Sequence, residues 1–191
     1  MTIVIVATGN PGKLKEMQGY LTALDWELRL KPEAIEVNET GQTFIENARL
    51  KASEVAVATG EWAIADDSGL QVNALDGAPG IYSARYGNSD RDRINRLLRE
   101  LANKTERQAE FVCALAIARP DGTIAAETEG HCPGEILIAP RGEGGFGYDP
   151  LFYVPSQSKT FAEMSPSEKD RHSHRGVAFQ QIMPQLEGLG I

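Results

Sequence analysis

The stretch Ala63-Ile64-Ala65-Asp66-Asp67-Ser68-Gly69-Leu70 constrains the fold of this chain more than any other. Small and apolar residues lead into two adjacent carboxylates, followed by a hydroxyl and a glycine. A short apolar run entering a turn is the pattern of a buried strand that delivers polar groups at its C-terminal end. Neighbouring side chains on a strand point to opposite faces, so Asp66 and Asp67 are expected to do different work. Carboxylates at a strand end suit a hard cation such as Mg2+, which takes carboxylate oxygens and keeps waters for a phosphate substrate. An Asx-turn with a solvated acid beside it gives the same local pattern. The rest of the chain has to weigh the two.

The N-terminal segment adds a second constraint. Thr2 to Ala7 reads as a strand and ends in Thr8-Gly9-Asn10-Pro11-Gly12-Lys13, after which a helical pattern runs to about Leu24. Asn10 is a suitable N-cap and Pro11 a suitable first helical residue. The exposed N–H groups and positive dipole end of such a helix favour an anion, and Lys13 in the first turn adds a full charge. The spacing is not that of a Walker A loop. A plain strand–helix turn with solvated Lys13 and Lys15 is the competing reading.

A second strand is expected at Glu27 to Leu30. A loop then carries Glu33, Glu36 and Glu39. Thr43 and Glu46 form a capping-box pattern ahead of a helix to about Thr59, whose apolar face is Phe44, Ala48, Ala52, Val55 and Ala56. Glu39 is either a metal-reaching acid or a solvated loop residue, and Lys51 falls on the helix where it can face the same groups. Beyond the paired aspartates, Leu70 to Ala74 reads as a separate short strand. Gly77 to Gly87 reads as a packed, glycine-punctuated loop. Ser89 to Ala102 reads as an amphipathic helix with Ser89 as its cap.

Gln108 to Arg119 and Thr123 to His131 read as an antiparallel hairpin around the turn Pro120-Asp121-Gly122, with a further strand from Gly134 to Ile138. Long strands after a strand–helix start predict a mixed sheet and an α/β fold with an antiparallel extension. In Gly144-Gly145-Phe146-Gly147-Tyr148-Asp149-Pro150 the glycines permit close backbone approach. Phe146 and Tyr148 offer rings to a base, and Asp149 can accept from a base edge, a sugar or a neighbouring turn. The competing reading is a tight turn into a strand from Leu151 to Val154. Ser165-Pro166-Ser167-Glu168 is another capping box. The polar run from Glu168 to Gly176 is either a solvated helix face or a wall that reads phosphate and base. A last helix is expected from Gly176 to Leu186, interrupted near Pro184.

Composition narrows the class. At 191 residues the chain fits one domain, residues 1–191, or two lobes sharing a sheet. A net charge of −8 argues against a broad grip on nucleic acid, although a local basic cluster or a metal can still hold a polyanionic small molecule. The sequence shows no long apolar span and no signal-like start, so a cytoplasmic protein without a membrane partner is expected. Cys113 and Cys132 lack CxxC spacing and read as reduced core thiols; His131 reads as structural. Taken together, a lysine-bearing glycine loop at a helix start, a double carboxylate and a glycine-aromatic-Asp loop followed by Lys, His and Arg predict a nucleoside triphosphate with Mg2+.

The same residues carry a resemblance. Thr8-Gly9-Asn10-Pro11-Gly12-Lys13, Glu39-Thr40-Gly41, Glu46-Asn47-Ala48, Ala65-Asp66-Asp67-Ser68-Gly69-Leu70, Gly80-Ile81-Tyr82-Ser83-Ala84-Arg85-Tyr86, Gly144 to Pro150 and Ser173-His174-Arg175 occur in the order found in the inosine triphosphate pyrophosphatase family. These are the dITP/XTP pyrophosphatases that clear deaminated purine nucleotides, and the resemblance covers essentially the whole chain. His172 departs from it, because an aliphatic residue is expected before Ser-His-Arg. The resemblance implies a two-lobed α/β fold, an elongated mixed sheet flanked by helices, an active-site cleft between the lobes, and a homodimer. It implies Mg2+-dependent hydrolysis of the α–β phosphoanhydride. It assigns the triphosphate to Thr8, Gly9, Asn10, Pro11, Gly12 and Lys13, and Mg2+ to Glu39 and Asp67, with Asp67 also the catalytic proton acceptor. It assigns the remainder of the substrate to Ser68, Phe146, Gly147, Tyr148, Asp149, Lys169, His174 and Arg175. A related pyrophosphatase of the septum-inhibitor-like type, acting on modified pyrimidines, and a non-catalytic nucleotide sensor are the alternatives.

Overall fold

The computed structural model describes residues 1–191. Seven strands form one mixed sheet. In chain order they are β1 (Thr2–Val6), β2 (Trp26–Leu30), β3 (Trp62–Val72), β4 (Gln108–Ala118), β5 (Ile124–Ile136), β6 (Phe152–Val154) and β7 (Lys159–Thr160), and their order in the sheet is β2-β1-β3-β4-β5-β6-β7. β1 pairs in parallel with β2 and β3, whereas β5–β6 and β6–β7 are antiparallel. The helices are α1 (Pro11–Tyr20), α2 (Phe44–Thr59), α3 (Asp90–Glu100), α4 (Pro166–His172) and α5 (His174–Glu187). This is the mixed α/β architecture that the sequence predicts.

The chain divides into two compact units. The first comprises Met1–Asp67, Ala114–Glu129 and Ala178–Ile191, the second Ser68–Cys113 and Gly130–Val177. In the first unit Val6, Ala48, Val55 and Ile64 are wholly excluded from solvent. Tyr20 stacks on Phe179, with centroids 4.4 Å apart and planes inclined by 8°. α2 starts as its pattern predicts, with the Thr43 side chain accepting from the Glu46 N–H, and it ends on Gly60 at φ 69°. The reciprocal half of the capping box differs: Glu46 accepts from the Gln42 N–H at 2.7 Å. α1 stops at Tyr20, short of the expected Leu24, because the chain reverses there with the Leu24 N–H on the Leu21 carbonyl.

The second unit is built on Leu70, Leu97, Leu101, Phe111, Phe152 and Phe161. Phe111 packs edge-on to Phe152 at 4.7 Å, and Phe152 lies 4.9 Å from Phe161. Such aromatic pairs contribute about 0.5–1.5 kcal/mol each beyond the burial of their area. Gly80–Arg85, expected as loop, forms a 3-10 helix.

Three expected breaks are absent. β3 runs unbroken from Trp62 to Val72, so Ser68-Gly69 is extended strand and no Asx-turn follows the aspartates. β5 likewise runs through His131, Pro133 and Gly134 as one strand. Pro133 is tolerated because pairing with β6 begins only at Glu135, leaving no neighbour on that side at the proline. α5 begins two residues earlier than expected, with Ser173 Oγ accepting from the Gly176 N–H, and continues through Pro184 to Glu187.

Candidate functional site

In the first unit the chemistry gathers where β1 ends. The last β1–β3 partners are Val6 and Ile64, so Asp66 and Asp67 lie just beyond the end of their parallel neighbour. Ligands to open α/β sheets bind at such carboxyl ends of parallel strands. The alternation along β3 separates the two acids as expected. Both oxygens of Asp66, a buried residue, accept from Lys13 Nζ at 3.0 Å. Asp67 turns to α2, where Oδ1 accepts from Lys51 Nζ at 3.1 Å and Oδ2 from Asn47 Nδ2 at 3.2 Å.

The loop Thr8–Lys13 has the capped geometry its residues predict. Asn10 is the N-cap of α1 and its Oδ1 accepts from the Gly12 N–H at 2.8 Å, while Thr8 Oγ1 accepts from the Asn10 N–H at 3.2 Å. Lys13 is held against Asp66 and is not a solvated turn residue. The pair keeps an ammonium in the first turn of a helix whose N–H groups already favour an anion.

Glu39 joins Asp67 through one ammonium: Lys51 Nζ also donates to Glu39 Oε1 at 3.0 Å. Burial works against the Lys51 charge, but Asp67, Asp66 and Glu39 together outweigh it and raise its pKa. The Asp67 carboxyl is pushed above the ordinary carboxylate range, first by burial and further by the charge of Glu39, against the opposing pull of Lys51. These directions agree, since several carboxylates share one ammonium, which is held charged by all of them while it offsets only part of the burial of Asp67. Glu39 and Asp67 fit Mg2+ by this test. They are all-oxygen donors converging where a cation is already demanded. No three His, Cys, Asp or Glu side chains cluster as a protein-only cage. A two-carboxylate seat completed by water and phosphate oxygens is how Mg2+ is commonly held.

In the second unit the turn Phe146–Asp149 is set by Asp149. Its Oδ2 accepts from the Phe146 N–H at 2.9 Å and from Lys169 Nζ at 2.5 Å. Gly145, at φ 75°, has no room for a Cβ beside that carboxylate. The two aromatic rings have different placements. Phe146 is 61% exposed, with Lys169 Nζ 4.6 Å from its ring centre. Tyr148 is packed in the core, and its hydroxyl donates to the Ser83 carbonyl at 2.9 Å. The Gly147 N–H donates to Asp90 at 2.7 Å. Arg175 Nη2 donates to Ser68 Oγ at 3.4 Å, and the His174 ring stacks on Phe111 at 4.7 Å. The cationic run therefore splits. Arg171 is exposed, whereas Ser173, His174 and Arg175 are buried.

Asn47 and Asp90 belong to these groups without having been marked as site residues by sequence. Asn47 had a signal: it is a buried polar residue three positions from Phe44 on the apolar face of α2. It bridges the Gly41 N–H, on its Oδ1 at 2.9 Å, to Asp67. Asp90 had none, because an acid in the first turn of a helix is ordinary.

Comparison with known proteins gives one answer. The model of the Ham1 family matches residues 4–185. A "dITP/XTP pyrophosphatase" of Nostoc sp. is 64% identical over 98% of this chain and 95% of that protein. The structure of a HAM1 protein from Coxiella burnetii superposes with a TM-score of 0.92 at 41% identity, covering 98% of this chain and 100% of that one. The Staphylococcus aureus Ham1 protein gives a TM-score of 0.90 at 42% identity, covering 98% of this chain and 99% of that one. With its motifs, its sheet and its full-length relatives in agreement, this chain belongs to the Ham1 family.

Proposed function

We propose that the chain hydrolyses non-standard purine nucleoside triphosphates (dITP, ITP and XTP) to the monophosphate and pyrophosphate, and so keeps deaminated purines out of DNA and RNA. The observation that carries the reading is Asp67: a partly buried carboxylate oriented by Asn47, sharing Lys51 with Glu39, one residue from the Lys13–Asp66 pair. The similarity to proteins named dITP/XTP pyrophosphatase supports it. Water attacks the α-phosphorus, the α–β anhydride breaks, pyrophosphate leaves and Asp67 takes the proton of the attacking water. Such attack needs an aligned water and charge neutralisation more than covalent help. Lys13 and the start of α1 face the phosphates. Mg2+, held by Glu39 and Asp67, neutralises phosphate charge when bound.

Base choice follows from hydrogen bonding. Hypoxanthine and xanthine carry a C6 carbonyl where adenine carries an amino group, and a donor aimed at O6 leaves adenine with unpaired polar contacts. Mismatches of this kind discriminate by up to ~10⁴-fold. The Phe146 and Gly147 N–H groups are already donated to Asp149 and Asp90, which favours Arg175 as the O6 donor. Guanine shares the C6 carbonyl and has to be rejected at its 2-amino group.

Pyrophosphate release from dITP, XTP, ATP, GTP and dUTP, with and without Mg2+, tests the reading. Rapid Mg2+-dependent release from dITP and XTP, with ATP and GTP slower by orders of magnitude, is expected. Preference for dUTP, or binding without turnover, would replace it with the pyrimidine or sensor reading. No helix is long and apolar enough to cross a membrane. The proposed state is a cytoplasmic homodimer with no nucleic-acid partner, and sedimentation equilibrium tests the dimer.

A further inference from the structure

The main chain around Phe146 is clamped by two carboxylates from different parts of the second unit. The peptide before its Cα is held through the Phe146 N–H, which donates to Asp149 Oδ2 at 2.9 Å. The peptide after it is held through the Gly147 N–H, which donates to Asp90 Oδ2 at 2.7 Å, and through the Phe146 carbonyl, which accepts from the Asp149 N–H at 3.2 Å. Fixing both flanking peptides fixes the direction of the Cα–Cβ bond that carries the exposed ring, and so limits where the ring can project.

Asp90 is itself braced. Its Oδ1 accepts from Arg93 Nη1 at 2.7 Å, and Arg93 Nη2 donates to the Ala84 carbonyl at 2.6 Å. Tyr148, next to Gly147, rests on the Ser83 carbonyl of the same 3-10 helix. Gly147 sits at φ 61°, a conformation in which an unanchored glycine is free to leave.

We propose that Asp90 is a positioning residue for base recognition, holding the Gly147 peptide so that the Phe146 ring presents its face to the purine. The proposal rests on the pyrophosphatase reading. Asp90 touches no reacting atom, and its effect passes through Phe146. A purely structural role is the rival: Asp90 is the first residue of α3, where a negative charge favours the helix dipole. The two roles depend on different properties of one side chain, an acceptor oxygen for the loop and a charge for the helix.

The test is a steady-state comparison of Asp90→Ala and Asp90→Asn with the wild-type enzyme on dITP and dGTP, with melting temperatures recorded in parallel. Asp90→Ala is expected to raise KM for dITP by about tenfold or more, the scale of a lost charge-assisted hydrogen bond. Its kcat should stay within about twofold, since nothing made only in the transition state is removed. The preference for dITP over dGTP should narrow. Asp90→Asn keeps an acceptor for the Gly147 N–H but loses the charge at the start of α3 and the second oxygen that faces Arg93, and it should bring KM part of the way back towards the wild type. Equal impairment of both variants, or a fall in kcat and melting temperature without a KM effect, would assign Asp90 to the helix alone. Wild-type KM and selectivity in Asp90→Ala would overturn the proposal while leaving the pyrophosphatase reading intact. A wild-type enzyme that did not prefer dITP would remove both.

Discussion

At Lys51 one positive charge serves Glu39 and Asp67 directly and Asp66 at longer range. Burial raises the Asp67 pKa, and a lysine shared in this way does not offset it while Glu39 adds to it; the upward direction is the one that favours proton uptake by a general base. Asp67→Asn retains the shape and an acceptor for Asn47 but cannot take a proton. Its kcat on dITP at saturating Mg2+ should fall by at least ~10², the scale of general-base catalysis. Pyrophosphate release measures this, and near-normal turnover would remove Asp67 from the mechanism. The separate tasks of Asp66 and Asp67 were legible from strand alternation alone. The partners were not, since Lys13 lies 53 residues from Asp66 and Lys51 lies 16 from Asp67. Only tertiary packing chooses between the available lysines.

Among the elements, α4 shows a local signal that survives folding intact. Ser165, Pro166 and Glu168 form the expected capping box, with Glu168 Oε2 accepting from the Ser165 N–H at 2.8 Å. Lys159 adds a contact to Glu168 Oε1 at 2.7 Å that no local pattern announced. The Lys159 hydrogen bond, followed by those of Ser165, brings the Glu168 pKa down to about 2. A carboxylate whose pKa is lower in the folded state contributes stability above its unfolded pKa, and that contribution is lost as pH falls through the folded value. Glu168→Gln should therefore melt below the wild type at neutral pH. The difference should shrink as pH falls below ~4.5, the range of a free glutamate, and close near about 2. A pH series of thermal melts checks it, and a constant difference would disconnect Glu168 from the acid response. Caps and N-terminal prolines were readable because their chemistry lies within four residues. Ser68-Gly69 and Pro133-Gly134 misled for the opposite reason. They have the composition of turns, yet each lies inside a strand whose continuity depends on neighbours distant in sequence.

For the whole molecule, the division into units follows no sequence boundary. The chain changes unit at Asp67–Ser68, Cys113–Ala114, Glu129–Gly130 and Val177–Ala178, and each change falls inside a regular element: β3, β4, β5 and α5. Composition and motif spacing show no linker because none exists. Loss of order in one unit therefore frays elements that continue into the other, and the chain should unfold in one cooperative step. Trp26 and Trp62, the two tryptophans of the chain, both belong to the first unit, so tryptophan fluorescence reports that unit alone. Phe152 is fully buried in the second. Phe152→Ala should cost about 3–5 kcal/mol, the usual range for a core phenylalanine. In urea, the fluorescence midpoint of this variant should fall together with the midpoint from far-ultraviolet circular dichroism, although the substitution and the reporters lie in different units. A fluorescence transition left at its wild-type position, with dichroism moving alone, would show that β3, β4, β5 and α5 transmit no cooperativity across the division and that the units unfold separately.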